Sequence, residues 1–274
     1  MNALRYLPIN CLMLAACEAP SNADGSAPEA ASQSPAKTAS ATAASAPSAS
    51  AREIEVSDDL IEFSYTYPAN ASAIPPLAAF LDADAEKSRA EVTARAGEMR
   101  DDAKEGGFPF RPFGYWVEWQ TVTDLPGWLS LSATVSTYEG GAHPNHNFAT
   151  ILWDKQAAIR LEPAELFTSR EALSAAIRAP FCRKLDKERA EKRGGDGKIG
   201  GGIGEFDACI DPLDNGTLIL GSSNRKTFDR LGVLVPPYNA GPYAEGSYEV
   251  TLPVTETILN TVRPLYRSDF TVKR

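Results

Sequence analysis

The chain has 274 residues, of which 43% are hydrophobic and 9% aromatic, enough to bury a substantial core without metal or multiple crosslinks. With 27 Lys and Arg against 36 Asp and Glu, its formal net charge is −9 and no block of basic residues compensates locally. Such a field repels phosphate backbones, which excludes nucleic acid as a partner and favours cationic ones.

The first 17 residues, MNALRYLPINCLMLAAC, place Arg5 before an apolar run that ends in Leu14-Ala15-Ala16-Cys17. That order is a lipobox: residues 1–16 are expected to be a signal peptide, and the Cys17 thiol to receive a lipid. An ordinary secretory signal cut nearby is the other reading. The run is shorter than the roughly 20 apolar residues that span a bilayer. The protein is therefore expected in the bacterial cell envelope, held to a membrane by an N-terminal lipid anchor and facing the periplasm.

From Glu18 to Arg52 the chain is mostly Ala, Ser, Pro and Thr with no Leu, Ile, Val or aromatic residue, so ordering it would bury almost nothing. Together with Cys17 it is read as a tether, residues 17–52, with a root-mean-square reach of about 30 to 36 Å. The folded domain is expected over residues 53–274.

Within that domain, Ile54–Tyr67 carries a strand pattern that stops at Pro68, and Pro75-Pro76 opens a long helix. Over Leu77–Glu105 the apolar residues Leu77, Phe80, Leu81, Ala85, Val92, Ala96 and Met99 fall at helical spacing, and Gly106-Gly107 ends the run. Aromatic and β-branched runs at Tyr115–Thr123, Trp128–Tyr138 and Phe148–Asp154, joined by short turns, predict antiparallel strands.

A second helix is predicted over about Pro163–Arg193, kinked or divided at Pro180. The glycine-rich stretch 194–204 reads as a loop. Three further strands are expected at Thr217–Leu220, Thr227–Val235 and Ser247–Val254, with a last helix to about Leu265. Strands grouped apart from helices make the fold class α+β: an antiparallel sheet packed against two long helices.

Removing the signal peptide takes Cys11, and lipidation occupies Cys17, so Cys182 and Cys209 remain. Outside the cytoplasm an even remainder suggests a disulfide, which would contribute about 3.5 kcal/mol on a chain-entropy estimate. Two free buried thiols are the alternative. The pair lacks the spacing of a zinc site.

Both histidines of the chain, His143 and His146, lie in Tyr138–His146, YEGGAHPNH. Glu139 could add a carboxylate to them, but a catalytic zinc normally takes three protein ligands and no further histidine exists, so no metal and no cofactor is expected. Gly140 and Gly141 are placed to take positive φ in a connection between strands. Thr227-Phe228-Asp229 starts like a deacetylase metal motif but continues Arg230-Leu231. The spacing of Gly195, Gly197 and Gly200 lacks the strand-turn-helix context of a nucleotide loop. The carboxylates at Asp58-Asp59, Asp82, Asp84 and Asp101-Asp102 read as solvated surface.

YEGGAH, the strand FATILWD and IRLEPAELF (159–167) come first. FDRLGVLV (228–235), the turn YNAGPYAEG (238–246) and VTLPV follow in order. In these segments the chain resembles the extracytoplasmic domain of unknown function shared by the lysozyme-sensing anti-sigma factor RsiV and the peptidoglycan deacetylase PdaC. The resemblance runs from Ile54 to Pro264. It implies an envelope-facing α+β module that binds lysozyme or accompanies peptidoglycan enzymes. The transmembrane and anti-sigma segments of the one and the deacetylase domain of the other are not expected here.

The two turns supply the binding candidates: Glu139, Gly140, Gly141, His143 and His146 in the first, Tyr238 and Tyr243 in the second. Both tyrosines, around Gly241-Pro242, would also brace a tight turn. Three functions follow as expectations. The first is a non-catalytic binding lipoprotein capturing a basic muramidase of the lysozyme kind or a peptidoglycan component. The second is a peptidoglycan-acting enzyme using the GGAH turn, and the third a structural or assembly lipoprotein.

Overall fold

A computed structural model describes residues 49–194 and 204–273. The lipobox with Cys17, nearly all of the tether and the glycine-rich stretch 195–203 lie outside the described residues. The strand pattern of Ile54–Tyr67 resolves into two strands, β1 (Arg52–Ser57) and β2 (Ile61–Tyr67). Asp58 makes the corner between them, its carboxylate accepting from the Leu60 and Ile61 amides. These bonds hold its carboxyl below the ordinary range.

A one-turn helix α1 (Ala69–Ser72) leads into α2 (Pro75–Gly106), which opens with Pro at its first position and closes on Gly107 at φ 69°. Strands β3 (Phe113–Asp124), β4 (Trp128–Tyr138), β5 (Asn145–Asp154) and β6 (Ile159–Leu161) complete a sheet in chain order. All neighbours are antiparallel except β2 and β3. That pair is parallel because α2 crosses over between them, as a parallel connection requires.

The inner face of α2 buries Leu77, Leu81, Ala85, Val92 and Ala96 against Phe63, Tyr65, Val117 and Leu131 of the sheet. Phe80 is only half-buried, beneath the Arg160 guanidinium, and Met99 faces solvent; Ala103 takes the inner position instead. Asp82 and Asp84 are more than solvated surface. They accept from the Tyr67 and Tyr65 hydroxyls at 2.9 Å each, and Tyr65 in turn accepts from Trp119 Nε1 at 2.8 Å. Burial, reinforced by Asp82, pushes the Tyr67 hydroxyl up to about 12.

After a 3-10 turn at Pro163–Leu166, Ser169 caps α3 (Arg170–Lys192), its hydroxyl accepting from the Ala172 amide. The helix runs through Pro180 undivided, because Leu173, Ile177, Phe181 and Leu185 stay on one buried face across it. They pack on a second, antiparallel sheet of β7 (Thr217–Gly221), β8 (Arg230–Val235) and β9 (Tyr248–Pro253). Each long helix thus covers its own sheet. The expected last helix shrinks to α4 (Glu256–Leu259) and a 3-10 turn at Pro264–Asp269. Cys182 of α3 and Cys209 form the disulfide, with Cα atoms 5.5 Å apart.

Candidate functional site

The β4–β5 connection and the segment between β8 and β9, some 95 residues apart in sequence, meet at one place. Gly140 turns the chain at φ 83°, a conformation other residues rarely adopt, whereas Gly141 has no positive φ. His143 follows in the connection. His146 is no turn residue: it lies in β5, opposite Ser136 of β4.

The His143 ring stacks on Tyr243, with centroids 3.7 Å apart and planes 18° from parallel. His143 Nδ1 lies 3.0 Å from the Pro144 carbonyl, which can only accept, so Nδ1 carries the proton there. Nε2 is then the acceptor for the Tyr238 hydroxyl, 3.4 Å away. The Tyr243 hydroxyl donates to the same Pro144 carbonyl at 2.8 Å and lies 3.5 Å from His146 Nε2. On its other side, His146 Nδ1 is 2.8 Å from Ser136 Oγ. Tyr238 completes the cluster, its ring centroid 5.6 Å from that of Tyr243.

The sequence candidates therefore divide. His143, His146, Tyr238 and Tyr243 come together, and Gly140 shapes the turn that delivers the first of them. Glu139 does not join; its carboxylate pairs with Arg95 of α2 at 3.2 Å. Ser136 and His146 form a hydroxyl–imidazole pair, but a serine nucleophile needs its histidine oriented by a third group, usually a carboxylate. Here the far nitrogen of His146 faces a tyrosine hydroxyl. Among the described residues no group of three or more His, Cys, Asp or Glu side chains is placed to hold a metal ion.

Residues that the sequence did not single out hold the second turn in place. Arg189 of α3, 1% exposed, donates through Nε to the Ala240 carbonyl at 2.9 Å. Through Nη1 it reaches Asp186 at 3.1 Å and the Ala208 carbonyl at 3.2 Å. One turn on, Arg193 grips both oxygens of Glu245, at 2.8 and 3.2 Å, and Asp207 at 2.7 Å. Tyr248 donates to Glu245 as well, and Lys192 reaches the Glu245 carbonyl at 2.8 Å.

Burial alone would raise the Glu245 carboxyl, but Arg193 and Tyr248 outweigh it and hold the group below its ordinary range. Burial, then the bond to Glu245, pushes the Tyr248 hydroxyl upward. The only advance sign of this clamp was the basic end of a helix, which also serves its dipole.

Next to the cluster opens a groove of about 630 Å³, bounded by the start of β5, residues 214–217 and residues 236–239, with His146 and Tyr238 on its margin. Its polar lining is dominated by asparagine and threonine.

Residues 54–146 match the family model described as Deacetylase PdaC, a match that reaches from β1 to His146 of the cluster. Over these residues the resemblance read from the sequence is borne out. The chain is also similar to the crystal structure of a DUF3298 family member from Bacteroides fragilis. The two are 14% identical, the likeness covers 81% of this chain and 96% of that one, and the TM-score is 0.49. For a DUF3298 family protein from Pseudomonas aeruginosa PAO1 the identity is 13%, the coverage 79% and 95%, and the TM-score 0.45. No curated protein matches the chain.

Proposed function

We propose that the protein is a non-catalytic binding lipoprotein of the bacterial cell envelope, anchored through Cys17, whose partner is a basic muramidase of the lysozyme kind. The observation that carries the binding role is the meeting of the two turns. Four candidate side chains are stacked and hydrogen-bonded to one another, and the clamp from α3 fixes the second turn beneath them. Such a cluster is preorganised as a surface, which lowers the entropy lost on association.

The partner follows from charge and from the resemblance. A protein of net charge −9 meets a basic partner faster than a neutral one, and the domain it resembles includes a lysozyme sensor. Attachment to the membrane and a periplasm-facing position belong to the same proposal. They rest on the lipobox.

Calorimetric titration of residues 51–274 with a c-type lysozyme tests it. Binding that Tyr243→Ala weakens by about tenfold or more, in a variant that stays folded, is the expected result. Turnover of a wall substrate that His143→Ala abolishes would contradict it and make the protein an enzyme.

A further inference from the structure

Tyr238 stands in a tight turn after Pro236-Pro237, its amide donating to the Gly241 carbonyl at 3.1 Å and the Asn239 amide to the Pro236 carbonyl at 3.3 Å. Its φ is 72°, in the left-handed region where a bulky side chain is strained by about 1 kcal/mol or more. The residue is 49% exposed, so burial offsets little of that strain. Asn239 and Gly241, which take that region more readily, stand in the same turn. The hydroxyl makes only the long contact to His143 described above. What the strained backbone does achieve is to stand an aromatic face at the margin of the groove.

The groove supplies matching chemistry. Asn145, Asn147 and Asn239 line it with carboxamides, and Thr137 with a hydroxyl, while Pro236 and Pro237 add apolar patches. Asn147 uses its oxygen on the Phe148 amide at 2.8 Å, and Asn239 uses its nitrogen on the Asn215 carbonyl at 2.9 Å. Each keeps the opposite end of its amide for a ligand. Among the described residues the lining holds no Lys or Arg to recognise phosphate or carboxylate, and Asp214 is its one carboxylate.

Paired donors and acceptors beside an exposed aromatic face suit a ring that is hydroxylated at its edges and apolar on its C–H faces. The volume lies within the roughly 300 to 1,000 Å³ of small-molecule sites. We propose that the groove beside Tyr238 binds an uncharged oligosaccharide, with the tyrosine ring as its stacking platform and the asparagine carboxamides as its hydrogen-bond partners. The groove shares Tyr238 and His146 with the surface proposed above for the protein partner, so the sugar is titrated without lysozyme and each proposal stands or falls on its own titration.

The experiment follows the asparagine side-chain amides by nuclear magnetic resonance as chitotetraose or cellotetraose is added. Both sugars are uncharged, and they differ in acetamido groups. Saturable shifts at Asn145, Asn147 and Asn239, with a Kd of about 1 mM or tighter for at least one sugar, are expected. Response to chitotetraose alone assigns the site to N-acetylated glycans, and response to both assigns it to the hydroxyl pattern.

Tyr238→Ala should weaken binding at least about tenfold and Tyr238→Phe by less than about threefold. Tyr238→Gly, which relieves the strained φ, should melt no lower than the parent yet lose the sugar. Absence of saturable shifts with either sugar, or shifts that Tyr238→Ala leaves unchanged, would overturn the assignment. So would a lowered melting temperature for Tyr238→Gly with sugar binding retained, which would make Tyr238 structural.

Discussion

Arg189 is the side chain on which the second turn depends most. It is buried, and its partners are the Ala240 and Ala208 carbonyls and Asp186. Truncating it would leave the carbonyl of buried Ala240 without its donor and open a void where the guanidinium lay, so Arg189→Ala is expected to lose about 3 kcal/mol in urea unfolding. Gly241 explains a motif position in steric terms. A Cβ there would meet the Glu245 carboxylate and lie 2.8 Å from the Tyr248 hydroxyl. Gly241→Ala should therefore loosen the clamp and lose about 1 to 3 kcal/mol.

The same clamp responds to acid. Because the folded state holds Glu245 below its ordinary value of 4.5, its contribution is full above that value and is lost as pH falls through the lowered one. Stability measured by denaturant should fall with acid in that window, and Glu245→Gln should flatten the dependence there. At this scale the sequence was half legible. His143, His146, Tyr238 and Tyr243 announced themselves as unusual residues in turn motifs, but their meeting and the role of Arg189 and Arg193 are products of tertiary packing.

Among the elements, the disulfide is the most direct test of how α3 is fastened. It ties the helix at Cys182 to the segment whose Ala208 and Cys209 carbonyls accept from Arg189 and Arg178. Replacing both cysteines by serine should lose about 3.5 kcal/mol, and should speed amide exchange around residues 204–209. The strands of the larger sheet were readable because aromatic and β-branched runs with turn residues between them mark hairpins locally.

The parallel pairing of β2 with β3 left no such mark, since the 32 residues of α2 separate them and pairing across a crossover is decided by packing. The three residues added at the start of β5 had the same cause. Asn145 and His146 are poor strand formers held by the ladder to β4. Pro180 shows the reverse, a strong local breaker overridden by a continuous buried face.

At the scale of the whole molecule, the proposed function joins an acidic binding domain to a lipid tether at Cys17 that would place it at a membrane. Cys17→Ser should move the protein from the membrane fraction to the soluble fraction, with the domain's melting temperature unchanged. Among the described residues no helix is long and apolar enough to cross a membrane. The class of fold and the pairing of the cysteines were readable from pattern and arithmetic. The division into two sheets, each under its own helix, was not, because the hydrophobic pattern shows that a face is buried and not what buries it.

The central claim is that the domain binds a basic muramidase through a specific surface. Calorimetric titration of residues 51–274 with c-type lysozyme, at low salt and again at about 150 mM, separates that from attraction between opposite net charges, which salt largely screens. The account predicts a saturable heat in both conditions, weaker but present at the higher salt. Binding that disappears there, or is absent from a folded sample at either salt, would contradict it.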